Sequence, residues 1–111
     1  MRKLILALAV VAAQSASAEN FSYYAVAVPS DAMIEMVIKE GVPRPVEATQ
    51  VDKHDWLVFR DDDQWSQKYI DNATDVIPMS TKVFRSLKKD CGRISNECAQ
   101  FRSILAETGH D

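Results

Sequence analysis

The side chains best suited to chemistry lie between residues 52 and 63. His54 is flanked by Asp52 and Asp55, and three further carboxylates follow at Asp61–Asp63. An imidazole beside carboxylates can act as a general base, and the same groups can hold a metal ion. The spacing does not match a calcium loop, whose acids alternate and whose sixth position is Gly. A small-ligand or metal site at His54 is therefore the alternative to a solvated turn followed by a helix start.

Motifs typical of enzymes are missing from the chain. Its three glycines, Gly41, Gly92 and Gly109, stand too far apart to form a phosphate-binding loop. The sequence contains no Gly-x-Ser-x-Gly elbow and no His-Glu-x-x-His motif. The only other histidine is His110. We therefore expect a protein that is not an enzyme and that needs no cofactor, and no motif resembles a known family.

The N-terminus has the tripartite pattern of a secretory signal peptide. Two basic residues precede an unbroken apolar run of ten, Leu4–Ala13, and Ala-x-Ala occupies residues 16–18. The run is too short for a membrane-spanning helix, which needs about 20 apolar residues. We expect residues 1–18 to be removed, leaving a single domain, residues 19–111, that enters no membrane and resides in the periplasm or outside the cell. An uncleaved membrane anchor is the alternative.

The two cysteines, Cys91 and Cys98, predict a disulfide. An even number of cysteines in a small exported chain is typical of a structural bond. A redox pair would have the spacing Cys-x-x-Cys, and a closed zinc site would need four ligands. Closing this short loop should stabilise the fold by about 2–3 kcal/mol.

Apolar periodicity and turn residues predict seven elements in the mature chain. They are a strand at Phe21–Val28, a helix from Ser30 to Gly41, strands at Val46–Val51 and Trp56–Arg60, and helices beginning near Gln64, Ser80 and Ser95. The order β-α-β-β-α-α-α predicts an α+β domain with a small, mainly antiparallel sheet covered by helices. The disulfide would then staple the hairpin of the last two helices.

The sequence also predicts the positions of several side chains within these elements. Ser30 and Ser80 are expected to cap the helices that follow them. Five residues of the first helix form its expected apolar face, namely Met33, Ile34, Met36, Val37 and Ile38. In the strand Trp56–Arg60, Trp56 and Val58 alternate with Leu57 and Phe59. One of these pairs must leave the core unless helices cover both faces of the sheet.

Charge is unevenly distributed along the chain. The formal net charge is −3, and removal of residues 1–18 leaves 11 bases and 16 acids. Residues 52–75 carry seven acids and three bases, whereas residues 82–93 carry five bases and one acid. Lys82, Arg85 and Lys89 recur at helical spacing and predict an exposed basic stripe. The two patches can steer a charged partner or neutralise each other within the fold, and the acidic balance argues against nucleic acid as a partner.

These observations favour a small exported domain that works by binding a protein. It would be an inhibitor or immunity-type protein, or an accessory of a secretion or envelope assembly. Large aromatic residues beside charges are typical of binding hot spots, although in so small a domain they also supply the core. The predicted partner-binding residues are Trp56, Phe59, Asp61, Asp62, Asp63, Trp65 and Tyr69.

Overall fold

The computed structural model describes residues 21–109, and in this part of the chain four strands and four helices follow in the order β-α-β-β-α-β-α-α. The predicted signal peptide, residues 1–18, lies outside the described residues. The elements are β1 (Tyr23–Pro29), α1 (Ser30–Glu40), β2 (Glu47–Val51), β3 (His54–Arg60), α2 (Ser66–Asp71), β4 (Asp75–Met79), α3 (Thr81–Cys91) and α4 (Ala99–Glu107).

The strands form one antiparallel sheet in the order β2-β3-β1-β4. The central strand β1 is paired on both sides, so that Val26 lies opposite Leu57 of β3 and Val76 of β4. A two-residue turn, Asp52-Lys53, joins β2 to β3, and Asp52 adopts a left-handed backbone with φ 58°. The predicted α+β class and antiparallel sheet are confirmed.

Helices cover both faces of this sheet. On one face the core contains Trp56, Val58, Leu87 and Phe101, which join the strands to α3 and α4. On the other face it contains Leu57, Phe59, Met33 and Tyr69, which join the strands to α1 and α2. A strand buried on both faces loses the usual alternation of apolar and polar residues. This explains why β1 and the segment Trp56–Phe59 of β3 are apolar on both faces, and neither alternating pair of β3 has to leave the core.

The predicted order lacks the strand β4, so the prediction of three strands is wrong. Its sequence, Asp-Val-Ile-Pro-Met, contains Pro78, a residue that argues against a central strand because it has no backbone N–H. In the structure β4 is the edge strand beside β1, where Pro78 lies opposite Tyr24. At an edge, the missing donor can face away from the ladder, so proline is tolerated there.

Two expectations for α1 are wrong. Ser30 does not cap the helix; its hydroxyl donates to Oδ1 of Asp55 at 3.0 Å. Ile34 and Ile38, expected in the core, are 50% and 76% exposed, because α1 buries only the stripe that contains Met33 and Met36.

The other helix boundaries depend on residues at their ends. Gly41 takes the left-handed conformation that ends α1, with φ 69°. The Ser80 hydroxyl accepts from the Val83 N–H at 3.2 Å, as expected of the residue that caps α3. The last helix begins at Ala99 rather than at Ser95, so residues 92–98 form a connecting segment between α3 and α4.

A buried carboxylate, Asp55, ties the connection after α1 to the sheet. Its side chain is only 6% exposed and forms an ion pair with Arg44. The hydroxyl of Ser30 donates to the same carboxylate and accepts at 3.1 Å from Nε2 of Gln50. Because a buried charge is stable only when it is paired and hydrogen-bonded, these contacts hold residues 41–46 against β2 and β3.

We predict that Asp55→Ala lowers the free energy of unfolding by about 2 kcal/mol, because the hydroxyl of Ser30 and the guanidinium of Arg44 lose a buried acceptor. Urea unfolding of the disulfide-bonded protein measures this loss. Glu35→Ala is the control, since it breaks an exposed i,i+4 pair with Lys39 and should change the stability by less than about 0.5 kcal/mol. Equal losses for the two variants would show that the Asp55 network contributes nothing specific.

Candidate functional site

The acidic turn, Asp61–Asp63, lies at the surface between β3 and α2. Its three side chains are exposed, and its backbone is fixed because the Asp61 N–H donates to the Ser22 carbonyl at 2.8 Å. Oδ1 of Asp63 accepts from the Trp65 N–H at 2.7 Å, and Asp62 forms an ion pair with Arg60 at 3.2 Å. The turn therefore presents carboxylates on a rigid support.

The four aromatic residues predicted for the same surface are placed differently. Trp56, Phe59 and Tyr69 are buried, and Trp65 is half-buried. Trp56 faces α3 and α4, whereas Phe59 and Tyr69 pack together on the opposite face with their ring centroids 4.9 Å apart. Of the predicted binding residues, the acidic turn and part of Trp65 are therefore available for contact in this structure.

Tyr69, in α2, lies in the core between the sheet and the helices α1 and α2. Its hydroxyl donates to the Pro43 carbonyl at 2.6 Å. Burial, together with the nearby negative charge of Asp63, raises the pKa of Tyr69 to about 12. Loss of this proton would place a phenolate in the core and remove a donor from the connection after α1.

The alternative metal site at His54 is not assembled. His54 begins β3, while Asp61–Asp63 follow its last residue, so about 20 Å of extended strand separates them. Asp55 is buried and already paired with Arg44. Among residues 21–109, no three His, Cys, Asp or Glu side chains form a group that could hold a metal ion.

The two helical layers carry opposite charge. The α1/α2 layer, residues 30–41 and 61–74, has seven acidic and two basic side chains, a net charge of −5. The α3/α4 layer, residues 80–109, has six basic and three acidic side chains, a net charge of +3. The sheet lies between these layers and keeps the two signs of charge apart.

The basic stripe of α3 is exposed as predicted. Lys82, Arg85 and Lys89 face solvent, and none of them forms an ion pair within the described part of the chain. Lys88 instead turns inward to the buried carboxylate of Glu47. The basic stripe and the acidic turn therefore do not neutralise each other by direct contact.

A second surface, which the sequence analysis did not identify, is an open groove beside β2. Its volume is about 990 Å³, and it lies between the edge of β2 at Ala48–Gln50 and the segment 90–100. Oε1 of Gln100, in this second wall, is buried and has no hydrogen-bond partner among the described residues. In the sequence, the cysteine spacing indicates a constrained loop. No nearby residue indicates that this loop lies beside a strand 40 residues earlier.

Three hydrogen bonds hold the disulfide-bearing segment against β2. The Ile94 N–H donates to Oε1 of the buried Glu47 at 2.8 Å, and the Asn96 N–H donates to Oγ1 of Thr49 at 3.1 Å. The Asn96 side-chain amide donates to the Gln50 carbonyl at 3.2 Å. These contacts set the position of one wall of the groove relative to the other.

The predicted disulfide is present and closes the connecting segment. It joins Cys91, the last residue of α3, to Cys98, which immediately precedes α4. The bond therefore links the two helices at the point where the chain passes from one to the other.

Within residues 21–109, no helix combines the length and the apolar character that crossing a membrane requires. Comparison of the chain with protein-family models, curated proteins and solved structures finds no match.

We predict that Tyr69 makes stability fall as the pH rises from 10 towards 12. In this range the unfolded chain loses the Tyr69 proton at its ordinary pKa near 10, while the folded chain retains it until about pH 12. Urea unfolding at pH 9, 10 and 11 should show that the advantage of the wild type over Tyr69→Phe shrinks with pH. A difference that stays constant over this range would contradict the assignment.

Proposed function

We propose that this chain is an exported protein-binding domain whose partner presents a basic surface. The observation that carries the proposal is the separation of charge across the sheet, which leaves the acidic α1/α2 layer on one side of the molecule. Complementary potentials accelerate association and orient the two proteins. An inhibitor or immunity-type protein, or an accessory of a secretion or envelope assembly, would use such a surface.

The contact surface that we propose is centred on the acidic turn, Asp61–Asp63, with the exposed part of Trp65 beside it. In the same helical layer, α1 exposes Ile34 and Ile38. Exposed apolar side chains in a charged helical layer are typical of an interface, in which an apolar centre has a polar rim. Phe59 and Tyr69 lie in the core on this side of the sheet, whereas Trp56 lies on the opposite side and takes no part in the proposed surface.

Export is the second part of the proposal. It is supported by the basic, apolar and Ala-x-Ala pattern of residues 1–18 and by the Cys91–Cys98 disulfide, a bond that persists in oxidising compartments. Together these features favour the periplasm or the cell exterior as the place where the domain acts.

We predict that reversing the charge of Asp61 and Asp62 together, by Asp→Lys substitutions, weakens partner binding by at least about tenfold and flattens its salt dependence. The partner is captured from the native envelope fraction with the tagged mature domain, and affinity is then measured with the purified partner at several salt concentrations. Asp63 is left unchanged because it accepts the Trp65 N–H and supports the turn.

The matched control is the triple variant Ser103→Lys, Ala106→Lys and Glu107→Lys. It changes the net charge by the same amount, but all three positions are exposed on α4, on the other side of the sheet and outside the lining of the groove. If the acidic-turn variant and this control bind equally well, the acidic turn is only a solvated surface and the proposed interface is wrong.

We also predict that the exported protein begins at Glu19. Intact-mass measurement of protein recovered from outside the cytoplasm should give residues 19–111 with no free thiol, since both cysteines are in the disulfide. Recovery of a chain that retains residues 1–18 would overturn the cleavage, and two free thiols would overturn the oxidised state in the cell.

A further inference from the structure

We propose that the groove beside β2 binds an extended polypeptide segment, which adds to the sheet as a fifth strand. This site is distinct from the acidic turn, and the ligand is recognised mainly through its main chain. Strand addition requires an edge strand with free backbone N–H and C=O groups and enough space beside it for another chain.

The position of Pro78 fixes which backbone groups face the groove. Pro78 has no N–H, so its pair with Tyr24 must be one without ladder hydrogen bonds. The N–H and C=O groups of Tyr24 then point towards β3. Because successive residues of a strand direct these groups to opposite sides, the register of the strand pairs also gives their direction in β3 and in β2. In β2, Glu47, Thr49 and Val51 bond to β3, while Ala48 and Gln50 direct their N–H and C=O groups outwards.

The bond from Asn96 to the Gln50 carbonyl supports this assignment independently, since that carbonyl must face outwards to accept it. Both backbone groups of Ala48 and the N–H of Gln50 have no partner among the described residues. An antiparallel peptide opposite Ala48 would accept from its N–H and donate to its C=O, and could accept once more from Gln50.

The other edge of the sheet is less suited to the same mode of binding. In β4 the outward positions are Val76 and Pro78, and proline removes one of the two donors. Proline on an edge strand is a common means of preventing strand addition. The β4 edge therefore keeps one outward donor, the Val76 N–H, whereas the edge that faces the groove has two, those of Ala48 and Gln50.

The groove itself is suited to a short peptide. Its volume of about 990 Å³ accommodates several residues, and both walls are held before a ligand arrives. The disulfide and the bonds from Ile94 and Asn96 fix the second wall, so less order has to be created on binding. The lining is largely polar, with Thr49, Gln50, Arg93, Asn96 and Glu97, so we expect polar side chains in the bound segment.

The test uses the oxidised mature domain and a phage-displayed library of random dodecapeptides. A peptide enriched by selection is synthesised, its affinity is measured, and amide hydrogen exchange is followed by NMR with and without the peptide. We expect the amides of Ala48 and Gln50 to exchange at least about tenfold more slowly in the complex, because each gains a main-chain hydrogen bond.

Ala48→Pro removes one outward donor without removing a bond between β2 and β3. It should lower the affinity for the peptide by about tenfold. Val76→Pro is the matched control, because it removes the outward donor of the opposite edge, and should leave the affinity within about twofold. Hydrogen exchange in the wild type gives an answer even if Ala48→Pro does not fold.

Three results would overturn the proposal. They are the failure to enrich any peptide, protection of amides elsewhere while Ala48 and Gln50 remain unprotected, and protection of these two amides that rises with protein concentration in the absence of peptide. The last result would mean that the edge pairs with a second copy of the chain. None of them bears on the acidic turn, whose test uses different variants.

Discussion

The structure depends on one constraint, which is that both faces of a four-stranded sheet must be buried by a very short chain. β1 and β3 are apolar on both sides, so a single helical layer would leave one face exposed to water. The chain satisfies this constraint with two helices on each face. Large aromatic side chains such as Trp56, Phe59 and Tyr69 are used to fill the two thin cores. What remains for binding is the surface of the helices, the turns and the strand edges.

Two buried carboxylates connect this sandwich to the irregular segments around it. Asp55 receives Arg44 from the connection after α1, and Glu47 receives Lys88 and the Ile94 N–H from the region between α3 and α4. A connecting segment that packs against a sheet needs partners for its own polar groups. Asp55 and Glu47 supply such partners, and because both lie in or next to the edge of the sheet, they also determine the shape of that edge.

A feature of this fold can be predicted from the sequence when the residues that cause it lie close together in the chain. Gly41 and the Ser80 cap act within one helical turn, and the disulfide closes a loop of a few residues, so all three were visible in the sequence. The strand β4 could not be predicted in this way, because Pro78 is tolerated only where the strand lies at the edge of the sheet. The sequence predicts Ser30 as a helix cap, but its hydroxyl donates to Asp55, which lies 25 residues later in the chain. The aromatic residues of the expected binding surface could not be assigned to core or surface, because that choice depends on which helix covers which face. For the same reason, the groove beside β2 had no local signature.

The two candidate surfaces are maintained by different interactions. The acidic turn is held by the hydrogen bond from the Asp61 N–H to the Ser22 carbonyl and by the one from the Trp65 N–H to the Asp63 carboxylate. The groove depends on the segment between α3 and α4, whose order rests on the disulfide and on Glu47. Reduction of the disulfide would act first on the segment that it closes, while the turn shares no bond with that segment. Because the sheet lies between the two helical layers, the proposed contact at the acidic turn and the proposed contact at the groove rest on different helical layers and on different hydrogen bonds.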